Sequence, residues 1–138
     1  MAWVVDTCLL IDVAEADPRF GIGSAEFLDR LRPDGLVICP VSCVELAPVF
    51  AGDEIAQQQF LDNLAVLWQE PWTNADTREA RQGWNRYVTA HRAAPSRRRP
   101  LADVLIGAFA TRFQGILTRN EADFHQVFPM LRVLVPKA

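Results

Sequence analysis

Short apolar runs separated by longer stretches with helical periodicity set the rhythm of this chain. Trp3-Val4-Val5 is the first run, stopped by Asp6, and the apolar stretch Cys8 to Val13 then opens a helix. Phe27, Leu28 and Leu31 recur at helical spacing within 24–31, and Pro33 to Gly35 close that helix. Leu36 to Cys39 read as a second buried strand. Pro40 suits the first turn of a helix continued by Val41, Val44, Leu46 and Val49, with Pro48 kinking or ending it. Asp53 caps a helix running to Leu64, and Ala65 to Trp68 follow as a short strand. A long helix is predicted from Asn74 to about Ala93, with Ala80, Trp84, Tyr87 and Val88 as its buried stripe. Pro95 to Pro100 form a loop, Leu101 to Phe113 a helix, Gly115 to Thr118 a strand, and Arg132 to Val135 a last strand.

Apolar strands alternating with helices predict an α/β fold, because parallel neighbours need crossover connections and those helices cover both faces of the sheet. With 138 residues, half of them hydrophobic and no linker or repeat, residues 1–138 form a single domain. No apolar run approaches the roughly 18–20 residues of a membrane span, and the chain opens without a basic leader, so a cytoplasmic protein is expected. Cys8, Cys39 and Cys43 match neither a disulfide framework nor a structural zinc set, and read as reduced core residues. The net charge of -3 does not exclude a nucleic-acid partner. All but one of the 14 basic residues are arginine, and Arg92, Arg97, Arg98 and Arg99 are concentrated in one segment.

In an open parallel sheet, ligands gather beyond the carboxyl ends of the strands. Four acids map there. Asp6 ends the first strand, Glu45 lies in the helix after the second, Asp103 lies in the first turn after the arginine loop, and Asp123 follows the strand ending at Thr118. Each has an ordinary alternative: Asp6 as a helix cap, Asp103 and Asp123 as first-turn acids favoured by the helix dipole. Glu45 interrupts the apolar segment Val41 to Phe50 and is expected on a largely buried surface, where an unpaired carboxylate is costly. A solvent-facing position on an amphipathic helix is the alternative.

Converging carboxylates repel one another unless a cation compensates. Hard oxygen donors suit Mg2+ or Mn2+, which activate water for attack on phosphorus, so phosphodiester hydrolysis is the reaction expected. Thr118 and Asn120 would hydrogen-bond the carboxylates or the metal's waters. An aspartate ending the first strand is also a phosphatase nucleophile position, but that chemistry wants a second aspartate two residues on, and the next acid here is Asp12.

Four segments, 4–12 (VVDTCLLID), 39–46 (CPVSCVEL), 101–110 (LADVLIGAFA) and 117–124 (LTRNEADF), together resemble the PIN-domain ribonucleases of the VapC toxin type. The resemblance spans nearly the whole chain and rests on the order and spacing of motifs that are individually weak. It implies a PIN-like three-layer α/β/α sandwich around a mainly parallel sheet of four or five strands. It also implies a Mg2+- or Mn2+-dependent endoribonuclease, a homodimer, and a cognate antitoxin that blocks the site. Asp6, Glu45, Asp103 and Asp123 then take the acidic positions, as metal ligands and catalytic groups, and Thr118 the supporting hydroxyl. Cys8 stands where the family often has asparagine or serine, and Ala102 where proline or a polar residue is frequent. Glu121 competes with Asp123 for the fourth acid.

Arg97, Arg98 and Arg99 precede Asp103 closely enough to guide an RNA backbone, or else form a solvated or antitoxin-binding loop. His91 and His125 stand outside the motifs and read as structural or surface residues. A housekeeping PIN nuclease in RNA processing, or a PIN-like module that binds RNA or protein without cleaving, are the alternatives to a toxin.

Overall fold

The structure, a computed structural model, describes residues 1–91 and 100–137. Arg92 and Arg97 to Arg99 lie outside the described residues. Five strands, β1 (Trp3–Val5), β2 (Leu36–Val37), β3 (Val66–Leu67), β4 (Gly115–Leu117) and β5 (Val133–Leu134), pair in the order β3-β2-β1-β4-β5, every pairing parallel. The helices are α1 (Thr7–Ala14), α2 (Gly21–Leu31), α3 (Pro40–Leu46), α4 (Glu54–Asn63), α5 (Asn74–Ala90), α6 (Leu101–Ala110) and α7 (Glu121–Val127).

The apolar strands make this a three-layer sandwich because alternate residues feed two separate cores. Val4, Val37 and Ile116 pack with Ala80 of α5, Val104 and Ala108 of α6, and Phe124 of α7. Trp3, Val5, Leu36 and Leu117 pack on the other side with Leu9 and Leu10 of α1, Leu28 of α2 and Leu61 of α4. Burial on both faces is why these strands read as unbroken apolar runs rather than alternating ones. The PIN-like α/β sandwich with a parallel sheet is the architecture observed.

Local signals fix most boundaries. Asp53 caps α4 by accepting from the Ala56 N–H at 3.0 Å. Pro48 sits in a 3-10 turn, Ala47–Phe50, that ends α3. Gly115 is required at the start of β4, since a Cβ there would lie 2.3 Å from the Arg132 carbonyl oxygen. Two expectations fail. α6 stops at Ala110 rather than Phe113, where the chain turns into β4. Val88 is 37 % exposed and leaves the buried stripe of α5, which runs instead through Asp76, Ala80 and Gly83. Asp76 belongs there because it serves the helix start: Thr73 and Asp76 form a reciprocal capping box.

Asp76 also anchors Arg112, which extends the chain just past α6. The guanidinium bonds both Asp76 oxygens (2.9 and 3.2 Å), Glu70 (3.0 Å) and the Pro71 carbonyl (2.7 Å), and lies over the Phe109 and Phe113 rings. It ties the segment before α5 to the end of α6. Arg112→Ala leaves Asp76, 2 % exposed, without its cation. We expect a loss of about 2–3 kcal/mol, below the roughly 3–5 of a fully buried pair because the arginine is partly solvated. Urea unfolding measures this, and a change under 0.5 kcal/mol would show the network to be a surface feature.

Candidate metal centre

The chain runs outward from β1 through β2 to β3, then returns to the other side of β1 for β4 and β5, so the order reverses between β1 and β4. A crevice opens beyond the strand ends at such a reversal. Asp6 leaves β1 there, its N–H bonded to the Leu117 carbonyl at 2.9 Å, and Thr118 leaves β4, its N–H bonded to the Leu134 carbonyl at 3.1 Å. The ladder thus sets side by side two residues 112 positions apart, and Thr118 Oγ1 donates to Asp6 Oδ2 at 2.6 Å. The Cys8 thiol donates to the same oxygen at 3.3 Å. The cysteine therefore supplies a bond to Asp6.

Asp6 occupies the N-cap position of α1 but its side chain makes no capping bond. It is 3 % exposed, and no arginine or lysine among the described residues pairs with it. Burial pushes its carboxyl above the ordinary 3.8; the hydroxyl and thiol donors pull it down, and the charge of Glu45 pushes it up. Burial of the Cys8 thiol, reinforced by Asp6, raises that thiol to about 12, which keeps it protonated as a donor.

Glu45 is exposed, correcting the expectation of a buried glutamate. The inward face of α3 passes through Ser42 and Leu46, while Val44, 73 % exposed, and Glu45 lie off it. Its link to the site is Thr7, whose hydroxyl donates to Glu45 Oε1 at 2.6 Å and lies 2.9 Å from the Ser42 hydroxyl. Thr7 and Ser42 are both buried, and neither was singled out from the sequence. A serine on the inward face of a mostly apolar helix was the available signal, since its hydroxyl must find a partner.

Asp103, in the first turn of α6, and Asp123, in the first turn of α7, line one cavity of about 290 Å³. Glu121 is not among its lining residues and faces His125, 3.8 Å away. Asn120 bonds Thr118 Oγ1 through its backbone N–H at 3.0 Å, not through its side chain. Asp6 and Glu45 thus interact beside Thr7, and Asp103 and Asp123 line the cavity. Among the described residues, no group of three or more His, Cys, Asp or Glu side chains is placed to hold a metal ion. The donor chemistry suits a hard cation: carboxylate oxygens, one of them on a buried side chain that no cationic side chain among the described residues pairs with.

Sequence reading also missed an ion pair beside the site whose carboxylate is buried. Asp12, 4 % exposed, receives two bonds from Arg119 (2.8 and 3.0 Å) and one from the Ser24 hydroxyl (3.0 Å). Arg119 follows Thr118 directly, so the pair ties the end of β4 to α1 and α2.

No family model matches this chain, and no curated protein matches it. Three chains of solved structures do. One, from the crystal structure of VapBC2 from Rickettsia felis bound to a DNA fragment from their promoter, superposes with a TM-score of 0.66 over 99 % of this chain and 100 % of that chain, at 14 % sequence identity. The chain is therefore structurally similar over nearly its whole length to a VapBC-family protein, and what the two share is the fold.

Proposed function

We propose that the chain is a metal-dependent endoribonuclease acting as the toxin of a toxin-antitoxin pair. The observation that carries this reading is Asp6: a buried carboxyl at the reversal of strand order, held by a hydroxyl and a thiol, with no cationic side chain among the described residues paired to it. Asp6, Glu45, Asp103 and Asp123 would hold Mg2+ or Mn2+, which when bound supplies an activated water and charge stabilisation for phosphodiester hydrolysis. Thr118 fixes the orientation of Asp6, and Thr7 that of Glu45. The likeness to a chain of a VapBC2 structure supports a cognate antitoxin as partner, and a homodimer in a cytoplasmic setting fits the same reading. No helix among the described residues is long and apolar enough to cross a membrane.

That no group of three or more His, Cys, Asp or Glu side chains among the described residues is placed to hold a metal favours a second reading, a PIN-like module that binds RNA or protein without cutting it. Incubating the purified chain with RNA in Mg2+ or Mn2+, and again in a chelator, decides between them. Cleavage only with the divalent ion supports the nuclease; binding without cleavage in either condition supports the module.

Arg97 to Arg99 would guide the RNA backbone. Replacing all three with alanine is expected to weaken binding and to flatten its dependence on salt, by a slope of up to roughly 2 if each arginine meets one phosphate of a single strand. An unchanged affinity and slope would remove these arginines from the RNA path.

A further inference from the structure

The cavity that holds Asp103 and Asp123 has a second wall that the hydrolytic reading does not use. Trp84, Tyr87 and His91 follow one another at helical spacing along α5, the last at its C-cap. Their rings form a continuous stack: Trp84 on Tyr87 with centroids 5.6 Å apart at 22°, and Tyr87 on His91 at 4.2 Å and 27°. Tyr87 and His91 line the same cavity as the two acids. His91 Nδ1 lies 2.9 Å from the Tyr87 carbonyl oxygen, which fixes the ring, and Gln126, also in the lining, brings its amide nitrogen to 3.5 Å from His91 Nε2.

We infer that this wall is a nucleobase pocket, in which one base of a single-stranded RNA extends the stack by lying on the outer face of His91 while the Gln126 amide reads its edge. The inference rests on the proposed nuclease reading and deepens it by naming positioning and specificity residues. A planar ring stack is a surface on which any base can lie, whereas an amide is suited to hydrogen-bond a base edge and so to favour some bases. At about 290 Å³ the cavity lies at the small end of ligand pockets, roughly 300–1,000 Å³, which suits one ring system. Asp103 and Asp123 line the same cavity as His91. A base on the aromatic wall leaves its phosphate towards the acids, where a metal ion would meet it, so the pocket selects the nucleotide beside the bond to be cut. His91 thereby gains a role, although it lies in none of the sequence motifs.

The test separates binding from cutting. On an Asp6→Asn background, a fluorescently labelled ten-nucleotide RNA is titrated in Mg2+ with the parent, His91→Ala, His91→Phe and Gln126→Ala proteins, and binding is followed by anisotropy. His91→Ala is expected to lose about 10-fold in affinity, within the range of one stacked base, and His91→Phe to recover most of it. The ratio between parent and His91→Ala should hold from about 50 to 200 mM salt, because a stacking contact, unlike a phosphate contact, releases no counterions. Gln126→Ala should narrow the spread of affinities among oligoadenylate, oligouridylate and oligocytidylate. An affinity unchanged by His91→Ala overturns the pocket while leaving the nuclease reading intact, as expected if a protein side chain fills the cavity instead. A salt-dependent loss that phenylalanine does not rescue overturns stacking. A parent protein that binds no RNA overturns the pocket.

Discussion

Asp6→Asn is expected to cut RNA cleavage by about 100-fold or more while making the metal-free protein more stable. The first half follows from the proposed role, since losing even an outer partner of a metal ligand costs roughly 10- to 100-fold. The second half follows from burial. The Asp6 carboxyl titrates above its ordinary 3.8, so between that value and its folded one the native state holds a proton that the unfolded chain has lost. Stability then falls as pH rises through this window and levels off above it. Asparagine cannot ionise, keeps an oxygen for the Thr118 hydroxyl, and is free of that loss. In a chain of this size, each kcal/mol recovered adds roughly 3 °C to Tm. Asp103→Asn should abolish cleavage equally but lower stability slightly, because it removes a negative charge from the first turn of α6, worth about 0.3–1 kcal/mol. Opposite stability shifts with a shared loss of activity would assign both aspartates to chemistry and rule out misfolding as the cause. Divalent ion should raise the Tm of the parent protein and not that of Asp6→Asn. Cleavage that survives in both variants, or in a chelator, would sink the proposed centre.

The parts of this molecule that were legible in its sequence are those dictated over short range. The strands announced themselves because both faces are buried, and the helix starts at Pro40, Glu54 and Leu101 because Pro40 and Pro100 carry no N–H to leave orphaned and Asp53 accepts from one that would otherwise be. The order of the strands was not legible, since it depends on which edge of β1 receives β4. The pairing of Thr118 with Asp6, and of Arg119 with Asp12, depends on the same choice and was equally hidden. Glu45 shows the limit from the other direction. An apolar neighbourhood in sequence suggested burial, but on a seven-residue helix a residue one step from the buried row already faces solvent. Its contact with Thr7 comes from the packing of α3 against α1, which neither segment encodes alone.

Arg119→Ala is expected to destabilise the fold more than Asp12→Ala, and more than the double variant that removes both. Arg119 is 28 % exposed and Asp12 only 4 %. Removing the arginine strands a carboxylate that keeps one hydroxyl donor, Ser24, and forfeits the guanidinium lying 4.0 Å over the Phe20 ring. Removing the aspartate leaves a guanidinium that can turn to water. We expect about 2–3 kcal/mol for Arg119→Ala, less than the roughly 3–5 of a fully enclosed pair because water can follow into the space the arginine leaves. The double variant should regain at least 1 kcal/mol of that, since taking away both partners removes the stranded charge along with the bond. Three variants within about 0.5 kcal/mol of the parent would mean that the pair behaves as a surface ion pair. The consequence for the site is direct. Thr118 and Asn120 flank Arg119, so an Arg119→Ala protein that is still folded should lose cleavage through a displaced Thr118 hydroxyl, and Thr118→Val, which deletes only that hydroxyl, should reproduce the activity loss with less effect on stability.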